Sequence, residues 1–209
     1  MIKVWDGFVR LFHWALVGAV AVAFITRDDR LELHVAAGYT VSGLVALRIL
    51  WGLVGARHAQ FRDFLFGPAV VAGYVRDLLR FRAARYLGHG PAGGAMVVAL
   101  LISLVLTVTS GLAVYAGQEY AGALTSIMAA RGDAWSARAE TAHELCAAVT
   151  LALIGIHVAG VVFSSLAHRE NLMWAMVTGY KRSRDGAATK ARVRGTAHHA
   201  GRNERMMSR

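Results

Sequence analysis

One cysteine is the whole thiol content of this chain. Cys146 alone cannot build a disulfide framework or a thiolate cluster, so iron–sulfur ligation is excluded. Acidic residues are scarce too: 13 Asp and Glu stand against 23 Lys and Arg, and charged residues make up only 17% of the 209 positions. Proline occurs twice. No internal repeat is evident. No small-residue cleavage site follows the first apolar stretch, so that stretch is expected to remain in the protein rather than leave as a signal peptide. What fills the sequence instead is apolar, at 56% hydrophobic residues and a mean hydropathy of +0.44. Such content, with charge confined to short patches, predicts a polytopic helical membrane protein rather than a soluble domain.

Four runs are long enough to cross ~30 Å of hydrocarbon at ~17–25 residues each: Phe8–Thr26, Leu33–Val54, Ala95–Ala116 and Ala142–Ala167. They lack the ten-residue alternation of a membrane barrel. The expected class is therefore all-α, an integral membrane four-helix bundle. Lys and Arg set its orientation. With the N-terminus cytoplasmic, nineteen basic residues fall on that side, and only Arg27, Arg30, Arg131 and Arg138 fall on the other. Both termini are expected in the cytoplasm, which makes the chain a multi-pass membrane protein. The net charge of +10 is then a topological signal and no sign of nucleic-acid binding.

Between the second and third runs, Ala69–Tyr86 mixes Val70, Val71, Tyr74, Leu78, Leu79 and Phe81 with Arg76, Arg80, Arg82 and Arg85. This predicts an amphipathic helix lying on the anionic leaflet, as an anchor or as a docking surface. The loop Gly117–Glu140 holds Trp135 and mixed charges, consistent with a short surface helix. Residues 1–182 form the expected membrane domain. Residues 183–209 are polar, basic and rich in Gly and Ala, which predicts a disordered tail; His198 and His199 within it read as solvated.

Histidines carry the chemistry. An ionisable side chain inside a span is expensive in hydrocarbon and is a functional candidate by default. His143 and His157 lie fourteen residues apart in the fourth run, almost four helical turns, so both leave one face separated by ~21 Å. His34 opens the second run at the outer end, level with His143. His13 lies ~20 Å below the outer end of the first run, level with His157. Axial ligands of a haem must face one another across the iron, and only level pairs do so. His34 with His143 on the periplasmic side and His13 with His157 on the cytoplasmic side therefore predict two stacked haems. Taken singly, His34 or His143 also reads as an interfacial polar residue. Gly18, Gly38, Gly43, Gly111, Gly155 and Gly160 suit a macrocycle lying against the backbone, and equally close helix packing. Arg10 and Arg48 are candidates for inner-haem propionates; Arg27, Arg30 and Arg138 are outer ones. Snorkelling to headgroups is the alternative for each. Ser110, Thr107 and main-chain carbonyls are candidate acceptors for the ligand N–H groups.

Several of these residues sit in recognisable strings. Val4-Trp5-Asp6, Arg10-Leu11-Phe12-His13-Trp14 and His34-Val35-Ala36-Ala37-Gly38-Tyr39 resemble the first two helices of a bacterial membrane cytochrome b family. Gly88-His89-Gly90-Pro91-Ala92-Gly93-Gly94 and Ala142-His143-Glu144 with His157 extend the likeness over about residues 3–182. The family is the b-type cytochrome subunit of nickel-dependent hydrogenases, related to bacterial cytochrome b561. The resemblance implies two b haems, each bis-histidine, in a four-helix bundle, with His13, His34, His143 and His157 at the ligand positions. It implies electron exchange between membrane quinone and a redox partner protein, a hydrogenase or a c-type cytochrome. Relatives also act alone as quinone oxidoreductases of superoxide–quinone or ferric-reductase type. A non-haem membrane scaffold, its histidines merely satisfying polar contacts, is the reading from another class. For quinol protons, His89 and Glu144 are candidates; His89 also reads as a loop cap and Glu144 as a helix N-terminal charge. Tyr39 and Tyr115 read as quinone-pocket residues or as packing.

Overall fold

The four apolar runs become four long helices. The computed structural model describes residues 1–27, 29–55, 59–86, 88–129 and 131–181. The expected tail, 183–209, with His198 and His199, lies outside the described residues.

Helix α1 (Gly7–Thr26) starts where the Asp6 carboxylate accepts the Val9 N–H at 2.8 Å, an N-cap that satisfies one orphan donor of the first turn. Helix α2 (Leu31–Val54) returns antiparallel to it. A single 3₁₀ turn (Phe61–Asp63) and helix α3 (Pro68–Leu79) follow. Helix α4 (Pro91–Gln118) opens on a proline, whose missing N–H costs nothing in a first turn. After the short α5 (Thr125–Ala129), α6 (Asp133–His168) runs 36 residues, about 54 Å. It stops at Arg169, which takes the left-handed conformation with φ 52°.

α1, α2, α4 and α6 are each long and apolar enough to cross a membrane. Their outward faces carry Leu50, Leu53, Leu106, Leu151, Ile156 and Leu166, all exposed, the pattern that lipid rather than water rewards. Val41 and Val45 of α2 meet Leu101 and Leu104 of α4 in the main apolar cluster. α1 packs on α2, α2 on α4, and α4 most extensively on α6. α6 is not closely packed on α1 or α2, so side chains of those helices meet across the bundle rather than along a seam. The starts of α1 and α4 and the ends of α2 and α6 share one end, called near here; the opposite end is far.

A clasp closes the near end. β1 (Ile2–Lys3) pairs antiparallel with β2 (Tyr180–Lys181), Ile2 opposite Lys181. Between α6 and β2 lies α7 (Leu172–Thr178), capped by Asn171 and ended by Gly179 at φ 86°. The Gly179 carbonyl accepts from Val4 at 2.8 Å and Trp5 at 3.2 Å. Arg85 pairs with Glu170, and Lys181 Nζ donates to the Tyr86 carbonyl at 3.4 Å. Burial lowers the Lys181 pKa from its ordinary value; Glu170 opposes this and Arg85 adds to it.

Two boundaries differ most from the sequence expectation. α6 begins nine residues before Ala142, because Asp133–Thr141 are too polar for hydrocarbon yet helical, held by the Gln118–Glu140 hydrogen bond and by Ser136 against Gly117. The interfacial helix ends at Leu79 rather than Tyr86. Phe81 turns at φ 56° to lay its ring on Phe163, and Tyr86 turns back onto Tyr74. The clasp and α7 were outside any local pattern.

Candidate functional site

Two histidine pairs line the bundle, and α6 contributes one ring to each. At the far end, His34 of α2 and His143 of α6 have ring centres 6.0 Å apart with planes at 90°. Toward the near end, His13 of α1 and His157 of α6 have ring centres 6.5 Å apart with planes at 53°. Among the described residues no other helix supplies a histidine at either level.

Helix backbones orient the far pair. His34 Nδ1 lies 2.9 Å from the Ala23 carbonyl of α1, and His143 Nδ1 lies 2.9 Å from the Thr107 carbonyl of α4. A carbonyl only accepts, so each Nδ1 carries the proton and each Nε2 is left with its lone pair, the tautomer a metal needs. Ser110 Oγ stands 3.4 Å from the same His143 Nδ1. Gly111 makes the approach possible, because a Cβ there would lie 2.9 Å from His143 Cε1. In the near pair the His13 Nδ1 is buried and has no hydrogen-bond partner.

These separations match a specific donor geometry. A metal–nitrogen distance of about 2.05 Å on each side, with each ring centre about 1.15 Å behind its nitrogen, puts two axial imidazole centres about 6.4 Å apart. The observed 6.0 and 6.5 Å bracket that value. Among the described residues no group of three or more His, Cys, Asp or Glu side chains converges, so protein donors alone do not complete a tetrahedral or octahedral shell. A lone histidine pair fits the two axial positions that a porphyrin leaves open. Gly18, Gly38, Gly43, Gly155 and Gly160 fit it too: a Cβ added at any of them meets no atom within 4 Å.

Below the near pair lies a cluster of charge and aromatic rings. Arg48 is 3% exposed, its Nη1 buried without a partner and its guanidinium 5.2 Å from the Phe61 ring centre. Arg10 donates from Nη1 to the Thr178 carbonyl at 2.9 Å, and its Nε is buried without a partner. Asp6 accepts from Trp51 Nε1 at 3.3 Å. His89 sits between the rings of Trp5, at 4.6 Å, and Phe64, at 4.9 Å. Sequence reasoning had no signal for Trp51, Phe61 or Phe64, whose roles depend on contacts between distant segments.

Far-end candidates are more dispersed. Tyr39 and Tyr115 converge on Gly122, whose φ of 88° and crowding by both rings leave no room for a side chain. Arg27 and Arg30 flank the α1–α2 turn, and Glu144 is exposed beside His143. Arg131 and Arg138 lie over the ring of Trp135 at 5.1 and 5.4 Å. The most telling residue without a sequence signal is Thr150. It is 1% exposed, and its hydroxyl meets that of Thr107 at 2.9 Å.

Residues 4–179 match the family model of prokaryotic cytochrome b561. The chain is 25% identical to a protein of Cupriavidus necator named as a probable Ni/Fe-hydrogenase B-type cytochrome subunit, over 87% of each chain. It is 24% identical to a protein of the same name from Azotobacter vinelandii, over 88% of this chain and 90% of that one. No solved structure gives a significant match.

Proposed function

The chain belongs to the prokaryotic cytochrome b561 family, a transmembrane b-type cytochrome of electron transport, and from that premise we propose that it holds two b haems and links the quinone pool to a redox partner protein. His34 and His143 ligate the far haem, and His13 and His157 the near one. The observation that carries this is the pair of ring separations, 6.0 and 6.5 Å, at two levels of one bundle.

When bound, each haem supplies a one-electron ferrous/ferric couple. The protein's own residues do the rest. The two imidazoles of each pair would hold a haem iron between them and so leave no position open to oxygen. The Ala23 and Thr107 carbonyls fix tautomer and ring direction at the far site. Arg48, with Nη1 buried, and Arg10, with Nε buried, would supply the cations for propionates of the near haem. Apolar walls keep water out of the path, and about 21 Å of helix separates His143 from His157, so the sites together span most of the hydrocarbon.

Lys and Arg distribution supports a cytoplasmic near end and a periplasmic far end in a bacterial inner membrane. Names of the curated relatives support a hydrogenase as partner; a c-type cytochrome has the same one-electron requirement. His89, boxed by Trp5 and Phe64 at the near mouth, is the candidate acceptor for quinol protons there, and Glu144 the candidate at the far side.

A reduced-minus-oxidised spectrum with haem quantification of the purified protein tests the reading. Two b-type haems per chain are expected, both reducible by a quinol analogue. A single haem, or none, overturns it.

A further inference from the structure

Helix α3 takes no part in the histidine pairs and lies at the near end, where two spans stop. Its Tyr74 hydroxyl is 3.5 Å from Nε2 of His168, the last residue of α6. A Cβ at Gly90, the residue before α4, would lie 3.2 Å from the same hydroxyl. α3 therefore sits at the depth where hydrocarbon gives way to headgroups.

The helix divides its faces by spacing. Val71 and Tyr74 are half-buried and Leu78 is buried, the face that packs on the bundle. Ala72, Val75 and Leu79 recur at three and four residues on a second face, all exposed. Arg76 and Arg80, four residues apart, stand beside that stripe and are exposed too. After Leu79 the chain makes a turn that usually takes glycine. Phe81 N–H donates to the Leu78 carbonyl at 3.0 Å, and Arg82 N–H to the Asp77 carbonyl at 2.8 Å. Phe81 fills the left-handed position of that turn at φ 56°, an unfavourable conformation for a bulky residue. Its ring rests 5.2 Å from that of Phe163 on α6, yet stays 64% exposed.

Residues 75–82 so carry three exposed apolar side chains, three exposed guanidinium groups and one acid, Asp77. Arg85, just beyond, is paired with Glu170. Guanidinium groups suit a phosphate, and the apolar side chains suit acyl chains; a water-soluble anion would match only the first. We infer that residues 75–82 form a binding site for an anionic phospholipid of the near-end leaflet. Arg76, Arg80 and Arg82 take the headgroup phosphate, and Val75, Leu79 and Phe81 take the upper acyl chains. Residues 182–209 are themselves basic, and a second copy would present the same charge, so neither is the occupant. The inference uses the membrane-spanning bundle and is independent of the haem assignments.

The test is native mass spectrometry of the full-length purified protein in nonionic detergent. Phosphatidylglycerol and phosphatidylcholine with the same acyl chains are titrated in turn. Each arginine beside an anionic lipid contributes about fivefold in affinity, so phosphatidylglycerol should bind at least about tenfold more tightly. Arg80→Gln alone should lower that preference about fivefold, and Arg76→Gln, Arg80→Gln and Arg82→Gln together should erase it. Leu79→Gln with Phe81→Gln keeps every arginine and should still weaken phosphatidylglycerol binding several-fold. Thermal unfolding of each variant shows that the bundle is retained. Equal affinity for the two lipids in the wild type overturns the inference. So does an equal loss from Lys3→Gln, Arg62→Gln and Arg169→Gln, three exposed cations elsewhere at the near end. Displacement of the lipid by inorganic phosphate, or undiminished binding in the Leu79→Gln, Phe81→Gln variant, makes the ligand a soluble anion and refutes a lipid site.

Discussion

The hydroxyls of Thr107 and Thr150 meet at 2.9 Å between α4 and α6, midway along the fourteen residues that separate His143 from His157. Thr107 donates its own proton to the Ser103 carbonyl, so Thr150 is the donor between them. The contact pins α6, which carries one ring of each histidine pair, to α4, the long helix that carries neither. Thr150→Val keeps the volume and removes one interhelical hydrogen bond, which in a membrane bundle is worth about 0.6–1.7 kcal/mol. Thermal unfolding in detergent should show a loss of that size with haem content unchanged.

Separate loss of the two haems is the next expectation. His157→Ala should roughly halve the α-band and leave the far haem; His13→Ala should give the same spectrum, because both act on one site. His34→Ala and His143→Ala should form a second matching pair with a different residual band. Haem-to-protein ratios check this, and four unrelated spectra would sink the pairing.

Arg48 offers a sharper test of the near site. Its Nη1 is buried without a partner, and a buried charge short of partners carries a desolvation cost that an apolar side chain of similar volume does not. Arg48→Met should therefore leave the haem-free protein at least as stable. It should also weaken retention of the near haem tenfold or more, since a buried propionate loses its cation. Thermal unfolding of the haem-free form and near-haem loss on detergent washing separate the two effects; equal retention of near haem refutes the propionate role.

At the clasp, Gly179→Ala should open β1 from β2. A side chain there faces φ 86° and a Cβ 2.9 Å from the Trp5 carbonyl, a strain of about 1–3 kcal/mol. Limited proteolysis should cut near Lys3 faster in the variant, while the haem spectrum changes little.

Much of this architecture is legible in the chain itself, and the reasons are physical. Hydrocarbon demands long apolar runs, so α1, α2 and α4 are found to within a few residues. Helical rise is fixed, so the matching depths of His13 with His157 and of His34 with His143 follow from counting, and the structure brings those rings together. The start of α6 is missed because Asp133–Thr141 satisfy helix propensity without satisfying lipid. The turn of Arg10 to the Thr178 carbonyl is missed because its partner lies 168 residues away. Ala23 has no side chain to announce it; what His34 uses is its carbonyl, identical in every residue. Gly111 is visible in the sequence, but not that an imidazole would rest against it.

α6 lends one imidazole to each pair, so the bundle has a shared axle. Turning it by a fraction of a turn swings both rings off line at once, whereas a displacement of α2 moves a ring of the far pair alone. Any event that twists this rod would therefore move one ring of each histidine pair together.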